Sequence, residues 1–372
     1  MKTVLVTGAK GFIGRNLIAH LARMDDLEVF RYDLENDETE LRSWLGHADI
    51  VFHLAGINRP QNIEEYETGN AGFTGRICRT LRELQRTPKI VMSSSIQVEL
   101  DNPYGVSKRH AEEALKSFAL ETGATVAIYR LKNVFGKWCR PNYNSVVATF
   151  CHNLAHDLPI SISDPVREVE LVHVDDVIGR FLAELEDASE PGGCFIRDTI
   201  SSTRITLGDL AGRIQVYHDM RSGLMVPDFS ERFNRCLYAT YLSYVEADAH
   251  AYGLSMKSDA RGSLAEFIKS QHFGQIFVSR THPGITRGNH YHHTKTEKFL
   301  VISGEGLIRM RHIEGGEVIE YRARGEEYRV IDISPGYTHS ITNVGQGEMI
   351  TLFWASEVFD PDRPDTYFLE VG

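Results

Sequence analysis

The apolar pattern changes period near residue 250, and that change restricts the chain to a two-part architecture. Before it, apolar runs at 3–6, 27–32, 49–55, 89–93 and 124–131 alternate with stretches of helical period at 12–24, 66–86 and 106–121. Such alternation predicts βαβ units, hence an α/β Rossmann-type doubly wound parallel sheet with helices on both faces. After it, strand-like runs such as "KFLVISGEG", "EVIEYRARG", "EYRVIDISPG" and "MITLFWA" follow one another across Gly, Asn and Pro turns. No helical period intervenes, which predicts an all-β antiparallel barrel or jelly roll. At 372 residues the chain exceeds the ~100 to 200 typical of one domain. The expected division is 1–245 and 250–372, without a low-complexity linker and therefore rigidly docked.

Charge and hydropathy narrow the partners. The formal net charge is −11, with acidic residues scattered, so no basic stripe offers itself to nucleic acid. No run approaches the ~18 apolar residues of a membrane span, and Met1 leads straight into a strand. A cytoplasmic protein with no membrane insertion is expected. The cysteines, Cys78, Cys139, Cys151, Cys194 and Cys236, are odd in number and lack C-x-x-C spacing, so free, buried thiols are expected.

In "TGAKGFIG", Gly8, Gly11 and Gly14 stand between a strand and a helix. Glycines there let backbone approach a pyrophosphate, whose charge a helix N-terminus stabilises. The next strand, "LEVFRYDLEND", carries Asp33, which suits the ribose hydroxyls of NAD, and Arg31, which with Lys10 suits the extra phosphate of NADP. Two cations against one carboxylate favour NADPH. Farther on, "NPYGVSKRH" sets Tyr104 and Lys108 at i and i+4, on one face of a helix. A lysine cation beside a phenol favours phenolate and is expected to lower the tyrosine pKa.

Through "TGAKGFIG", "DIVFHLAG", "SSSIQV", "YGVSK", "RLKNVFG" and "ELVHVDDV", residues 1–245 resemble the extended short-chain dehydrogenase/reductases that act on nucleotide sugars. The resemblance implies that Ser95 hydrogen-bonds the sugar oxygen, Tyr104 transfers its proton, and Lys108 holds the nicotinamide ribose. It extends the cofactor contacts to Phe12, Ile13, Leu54 and Ala55, and puts sugar-nucleotide contacts on Asn133 and Arg167. One departure decides a subclass. The 4,6-dehydratases of the family carry Thr-Asp-Glu where this chain has Ser95, Ile96 and Gln97. Ile96 and Gln97 cannot move protons, so carbonyl reduction or epimerisation is expected instead of dehydration.

The C-terminal part reads Gly284-x5-His290-x-His292-x4-Glu297-x6-Gly304, then Gly336-x2-His339-x3-Asn343. On a strand, His290 and His292 point to one side. With Glu297 and His339 they would make a three-nitrogen, one-carboxylate set suited to zinc first, and also to iron, nickel or manganese. His293 is expected in a solvated loop. Tyr291, Lys298 and Tyr337 are candidates for a proton-moving group. The spacing resembles the cupin double motif, with Pro335 shifted next to Gly336 in the second half. "DARGSLAEF" from 259 resembles the start of the sugar-nucleotide epimerase cupins, which act on 4-keto-6-deoxy sugars.

A ketone explains the pairing of the two halves. Protons beside a carbonyl are acidic, so a metal that stabilises the resulting anion permits epimerisation, and hydride delivery to the same ketone fixes the outcome. Over its full length the chain resembles bacterial capsular polysaccharide enzymes of this layout. That implies epimerisation of a UDP-4-keto-6-deoxy-N-acetylhexosamine at carbon 3, then NADPH reduction at carbon 4 to a UDP-N-acetyl-6-deoxy-L-talosamine-type sugar, by a homodimer. The competing readings are a single-activity 4-keto-sugar reductase with a non-catalytic cupin, and a redox-neutral NAD-dependent 4-epimerase.

Overall fold

The computed structural model describes residues 1–372 except 187–190, 198–199, 255, 260–261, 266–273 and 358–359. In the "DARGSLAEF" stretch, Asp259 and Gly262–Ala265 lie in strands, and 260–261 and 266–267 lie outside the described residues. Two compact units emerge, residues 1–145 with 169–204, and residues 146–168 with 205–372.

The first unit is built on six parallel strands in the order Leu27–Tyr32, Lys2–Thr7, Ile50–His53, Lys89–Ser95, Thr125–Leu131 and Gly193–Arg197. Its central strands are apolar on both faces because helices cover both. Leu41, Ile77, Leu81, Leu115 and Phe118 pack from helices on one face, and Leu17, Leu21, Val177, Ile178 and Phe181 from helices on the other. Strand order reverses between Lys2–Thr7 and Ile50–His53, which opens a crevice at their carboxyl ends where such sheets bind ligands.

The second unit ends in two antiparallel five-stranded sheets. One runs Ala251–Gly253, Arg329–Ile333, Glu297–Ser303, Met349–Ala355 and Gln275–Thr281; the other runs Ile319–Arg324, Glu305–His312, Tyr337–Asn343, Thr286–Tyr291 and Tyr367–Phe368. Between them lie Phe299, Val301, Ile308, Met310, Ile331 and Ile341, alternating along their strands with outward side chains. The sequence-predicted order, a parallel α/β sheet followed by an all-β sandwich, is the order found.

The division into units cuts across the boundary expected at 245–250. The helices Val146–Ala155, Leu207–Gly223 and Arg232–Leu242 group with the β-sandwich. Aromatic burial explains this: Tyr217 and Tyr238 are sealed, Phe229 stacks on Tyr238 at 5.1 Å, and Phe229 meets the buried Trp354 at 5.8 Å. A buried ion network adds direction, with Asp332 bound by Arg221 at 2.6 Å and by Lys298 at 2.5 Å. None of the five cysteines is disulfide-bonded; four are buried and Cys194 is half-buried. No helix among the described residues is long and apolar enough to cross a membrane.

Candidate functional site

In the first unit, the glycine turn follows the first strand at the crevice. Gly8 has φ +68°, and a Cβ on it would fall 2.7 Å from the Ala55 backbone. A Cβ on Gly14 would fall 2.1 Å from the Gly8 carbonyl oxygen. Only glycine fits either place. The helix Phe12–Leu21 starts at Gly11, without a side-chain cap or an acidic residue in its first turn, so its N–H groups remain available to an anion. Phe12 and Ile13 are half-buried against the apolar core of that face, as is Leu54, and the Ala55 N–H leans on the Thr7 hydroxyl at 3.4 Å.

The neighbouring strand modifies the cofactor expectation. The Asp33 carboxylate accepts from the Lys10 N–H at 2.7 Å and from the Leu34 N–H at 2.9 Å. The Lys10 ammonium is paired with Glu35, which raises its pKa and lowers that of Glu35. Arg31 is exposed and has no partner among the described residues. Of the two cations expected to face a phosphate, one is thus already engaged, in an exposed pair that solvent screens.

Ser95 ends the strand Lys89–Ser95, and its hydroxyl accepts from the Gln97 N–H at 3.2 Å. Asn102 caps the helix Pro103–Thr122 by accepting from the Gly105 N–H at 2.7 Å. Gly105 allows this helix to press on the turn before it, since a Cβ there would fall 2.2 Å from the Gln97 carbonyl oxygen. That approach brings the Tyr104 phenol toward the Ser95 hydroxyl, which acts to lower its pKa. Burial nevertheless pushes the phenol up to about 12, with Tyr66 and Tyr143 adding to it and Ser95 opposing. The expected lowering by Lys108 is not what the arrangement produces. Lys108 is buried and donates to the Ser93 carbonyl at 2.8 Å, and burial brings it down to about 8 against the pull of Glu112.

Sequence reasoning missed Glu112, one helical turn beyond Lys108. It is fully buried, accepts from the Ser94 hydroxyl at 2.7 Å, and accepts from Nε and Nη2 of Arg130 at 3.1 and 2.8 Å. Burial alone would raise its carboxyl, but Arg130, Ser94 and Lys116 outweigh it and hold the group below its ordinary range. Its only sequence signal is its place on the Lys108 face. Asn133 donates to the Glu170 carbonyl at 3.1 Å. Arg167, in the other unit, is exposed in a turn after Asp164, and its guanidinium has no partner among the described residues.

In the second unit, His290, His292, Glu297 and His339 come together, each offering a ligand atom within 4.8 Å of the others. His290 pairs with His339 across two strands, next to a bulge at Gly288. A Cβ on Gly288 would fall 2.8 Å from the His339 carbonyl oxygen, and its φ is +100°. Glu297 Oε2 stands 3.4 Å from His292 Nε2 and 3.3 Å from His339 Nε2. Both nitrogens are buried and make no hydrogen bond. Their partner nitrogens face carbonyls, His292 Nδ1 that of Asp365 at 2.6 Å and His339 Nδ1 that of Tyr337 at 3.4 Å. A carbonyl only accepts, so Nδ1 carries the proton and Nε2 presents a lone pair to the cluster. Burial brings His290 down to about 3. Three imidazoles and a carboxylate, two of their nitrogens buried without a hydrogen bond, fit a divalent cation.

Three side expectations fall differently. His293 is buried, its ring 5.1 Å from that of Tyr367, so it is no solvated loop residue. Lys298 follows Glu297 on a strand and so faces the opposite side, where Asp332 and the Tyr252 hydroxyl hold it. Tyr291 likewise alternates away from His290 and His292 and packs on Tyr367 at 5.5 Å. Tyr337 remains on the His339 side, its ring 5.3 Å from that of His312.

Residues 4–194 match the NAD dependent epimerase/dehydratase family, over half of the chain. The chain belongs to that family. Enzymes of that family use a nicotinamide cofactor. Residues 257–367 match the polysaccharide biosynthesis C-terminal domain. The chain is 43% identical, over 99% of both lengths, to a UDP-2-acetamido-2,6-beta-L-arabino-hexul-4-ose reductase of Pseudomonas aeruginosa. It is 44% identical to the capsular polysaccharide assembling protein CapF of Staphylococcus aureus, whose crystal structure covers 99% of this chain and 100% of that one with a TM-score of 0.67. A UDP-glucuronic acid 4-epimerase of Bacillus cereus, solved with NAD, shares the fold of the first part at 21% identity and a TM-score of 0.52, covering 59% of this chain and 84% of that one. The kinship with capsular polysaccharide enzymes expected from the motifs therefore stands.

Proposed function

We propose that the protein epimerises a UDP-4-keto-6-deoxy-N-acetylhexosamine at carbon 3 and reduces its carbon-4 ketone with NADPH, yielding a UDP-N-acetyl-6-deoxy-L-talosamine-type sugar. The observation that carries this is the coexistence of a Ser95–Tyr104–Lys108 constellation beside a glycine turn with a closed four-ligand set in one chain. The activity in the name of the Pseudomonas aeruginosa relative, reduction of a UDP-linked 4-ketose, supplies the substrate class.

In the reductase, Gly8, Lys10, Gly11, Phe12, Ile13, Gly14, Arg31, Asp33, Leu54 and Ala55 would hold the dinucleotide, which supplies a hydride. Ser95 orients the ketone oxygen. Tyr104, protonated throughout the neutral range with a pKa of about 12, is the proton donor to that oxygen. Lys108 holds its cation one helical turn below, where a bound nicotinamide ribose would meet it, and Asn133 and Arg167 would engage the sugar nucleotide, Arg167 through a phosphate. Arg31, exposed and unpaired among the described residues, favours NADPH over NADH.

In the second unit, His290, His292, Glu297 and His339 would hold zinc, which supplies positive charge beside the ketone. Tyr337, on the ligand side of its strand, is the residue we assign to proton movement there. By chemistry, residues 1–245 would carry reduction and 250–372 epimerisation, although packing divides the chain differently. A homodimer in the cytoplasm completes the proposal.

The test uses purified protein, the UDP-4-keto sugar and deuterium oxide. Without NADPH, mass spectrometry should show solvent deuterium entering at the carbon beside the ketone; with NADPH, reduced-nicotinamide absorbance should fall with product formation. Reduction without deuterium entry would leave a single-activity reductase. Turnover with no added cofactor would leave a redox-neutral epimerase.

A further inference from the structure

The loop from His292 to Glu297 is organised from far along the chain by one residue. The Asp365 carboxylate accepts from three successive N–H groups, those of His293 at 3.0 Å, Thr294 at 2.9 Å and Lys295 at 2.7 Å, and from the Thr294 hydroxyl at 3.0 Å. Its backbone carbonyl accepts from His292 Nδ1 at 2.6 Å. Lys295 closes the same contact from the other side, donating to the Pro364 carbonyl at 2.8 Å and the Thr366 hydroxyl at 2.6 Å. Asp365 adopts φ +38°, a left-handed conformation that side chains other than glycine rarely take, so the contacts around it hold it there. The chain then runs beside the ligand strand, with Tyr367 opposite Tyr291, Phe368 opposite His290, and the Leu369 N–H donating to the Asn289 carbonyl at 2.9 Å.

We propose that Asp365 is the positioning residue of the metal centre, and that zinc occupancy and docking of residues 364–369 are coupled. The inference rests on the metal reading of His290, His292, Glu297 and His339. A cation requires His292 in one tautomer and one ring orientation, and the Asp365 carbonyl sets both. The carboxylate fixes the turn that sets the spacing from His292 to Glu297. Coupling of this kind is reciprocal: a tail that orders the ligands favours zinc, and zinc equally favours the docked tail.

The experiment measures zinc affinity by competition with a chromophoric chelator, alongside thermal unfolding with and without zinc, for the full-length protein and for Asp365→Ala, Asp365→Asn and His290→Ala. Both Asp365 variants should bind zinc about 10–100-fold more weakly, and the rise in unfolding temperature on adding zinc should shrink. A merely structural role would lower both unfolding temperatures together and leave the rise and the affinity unchanged, which overturns the inference. His290→Ala separates the two layers: if it binds zinc like the parent, the metal reading fails; if it loses zinc while Asp365→Ala does not, only the positioning role fails. Hydrogen exchange on the unaltered protein tests the coupling even where a variant does not fold. Removing zinc should speed exchange at the amides of His293, Thr294 and Lys295 while leaving Leu307–Met310 unaffected, and an equal response at both places overturns it.

Discussion

Tyr104 and Lys108 stand four residues apart on one helix, whereas His290, Glu297 and His339 come from three strands and lean on Asp365, more than 70 residues from His292. The first arrangement follows from helical geometry once the helix forms. The second exists only when two sheets are packed and the chain's last strand is in place. Buried charge is also handled differently. On the Lys108 helix, protein groups answer one another, Lys108 with a carbonyl and Glu112 with Arg130, while in the histidine cluster two buried nitrogens make no hydrogen bond. A locally built site should lose function one group at a time, and a site built across strands should lose function together with stability.

The largest effect expected is on the local site. Tyr104→Phe removes the proton donor and should lower reduction of the ketone by about 10²–10⁴-fold, with unfolding nearly unchanged and solvent deuterium still entering the substrate. Steady-state rates beside a melting curve check this, and near-normal reduction would remove Tyr104 from the role.

Next, His290→Ala should cut deuterium entry by on the order of 10²-fold and reduce bound zinc, while reduction of already epimerised substrate persists. Its unfolding temperature should also fall in zinc-containing buffer, because a bound metal stabilises its fold. Undiminished exchange in a folded, zinc-free variant would end the parallel between the two sites.

Lys108 sharpens the comparison through pH. Its folded value of about 8 lies below the ordinary 10.5, so between these values the unfolded chain holds a proton that the folded chain has released. Stability from this group therefore rises with pH across that window, by roughly 3 kcal/mol in full, and below about 8 the burial cost is constant. Denaturant unfolding of the parent and Lys108→Met at pH values either side of 8 should diverge accordingly; parallel curves would contradict it.

The smallest effect concerns the cofactor. Arg31→Ser should raise the KM for NADPH by about 10-fold and leave that for NADH nearly unchanged, because one charge-assisted contact to a phosphate is lost. Equal shifts for both would return the choice to Asp33.

Sequence alone determined what short-range geometry determines. Period-two and helical patterns marked the strands and helices of both units, since burial of alternate or every third to fourth side chain is a local demand. Gly8 and Gly14 were legible because a crowded turn after a strand tolerates nothing larger, and the His290, His292, Glu297 and His339 set because strand alternation puts close neighbours on one side. The tertiary structure decided the rest. Glu112 and Arg130 meet only when helix and sheet pack, Lys298 turns to Asp332 because its neighbour faces the cluster, and the helices near 146–168 and 205–245 join the β-sandwich through Trp354 and Arg221. The same holds for the phenol of Tyr104, raised instead of lowered because burial depends on everything packed around it. Asp365 is the clearest case, since no spacing rule links it to a loop 70 residues earlier, and only strand pairing across the closed sandwich brings its carboxylate under those three N–H groups.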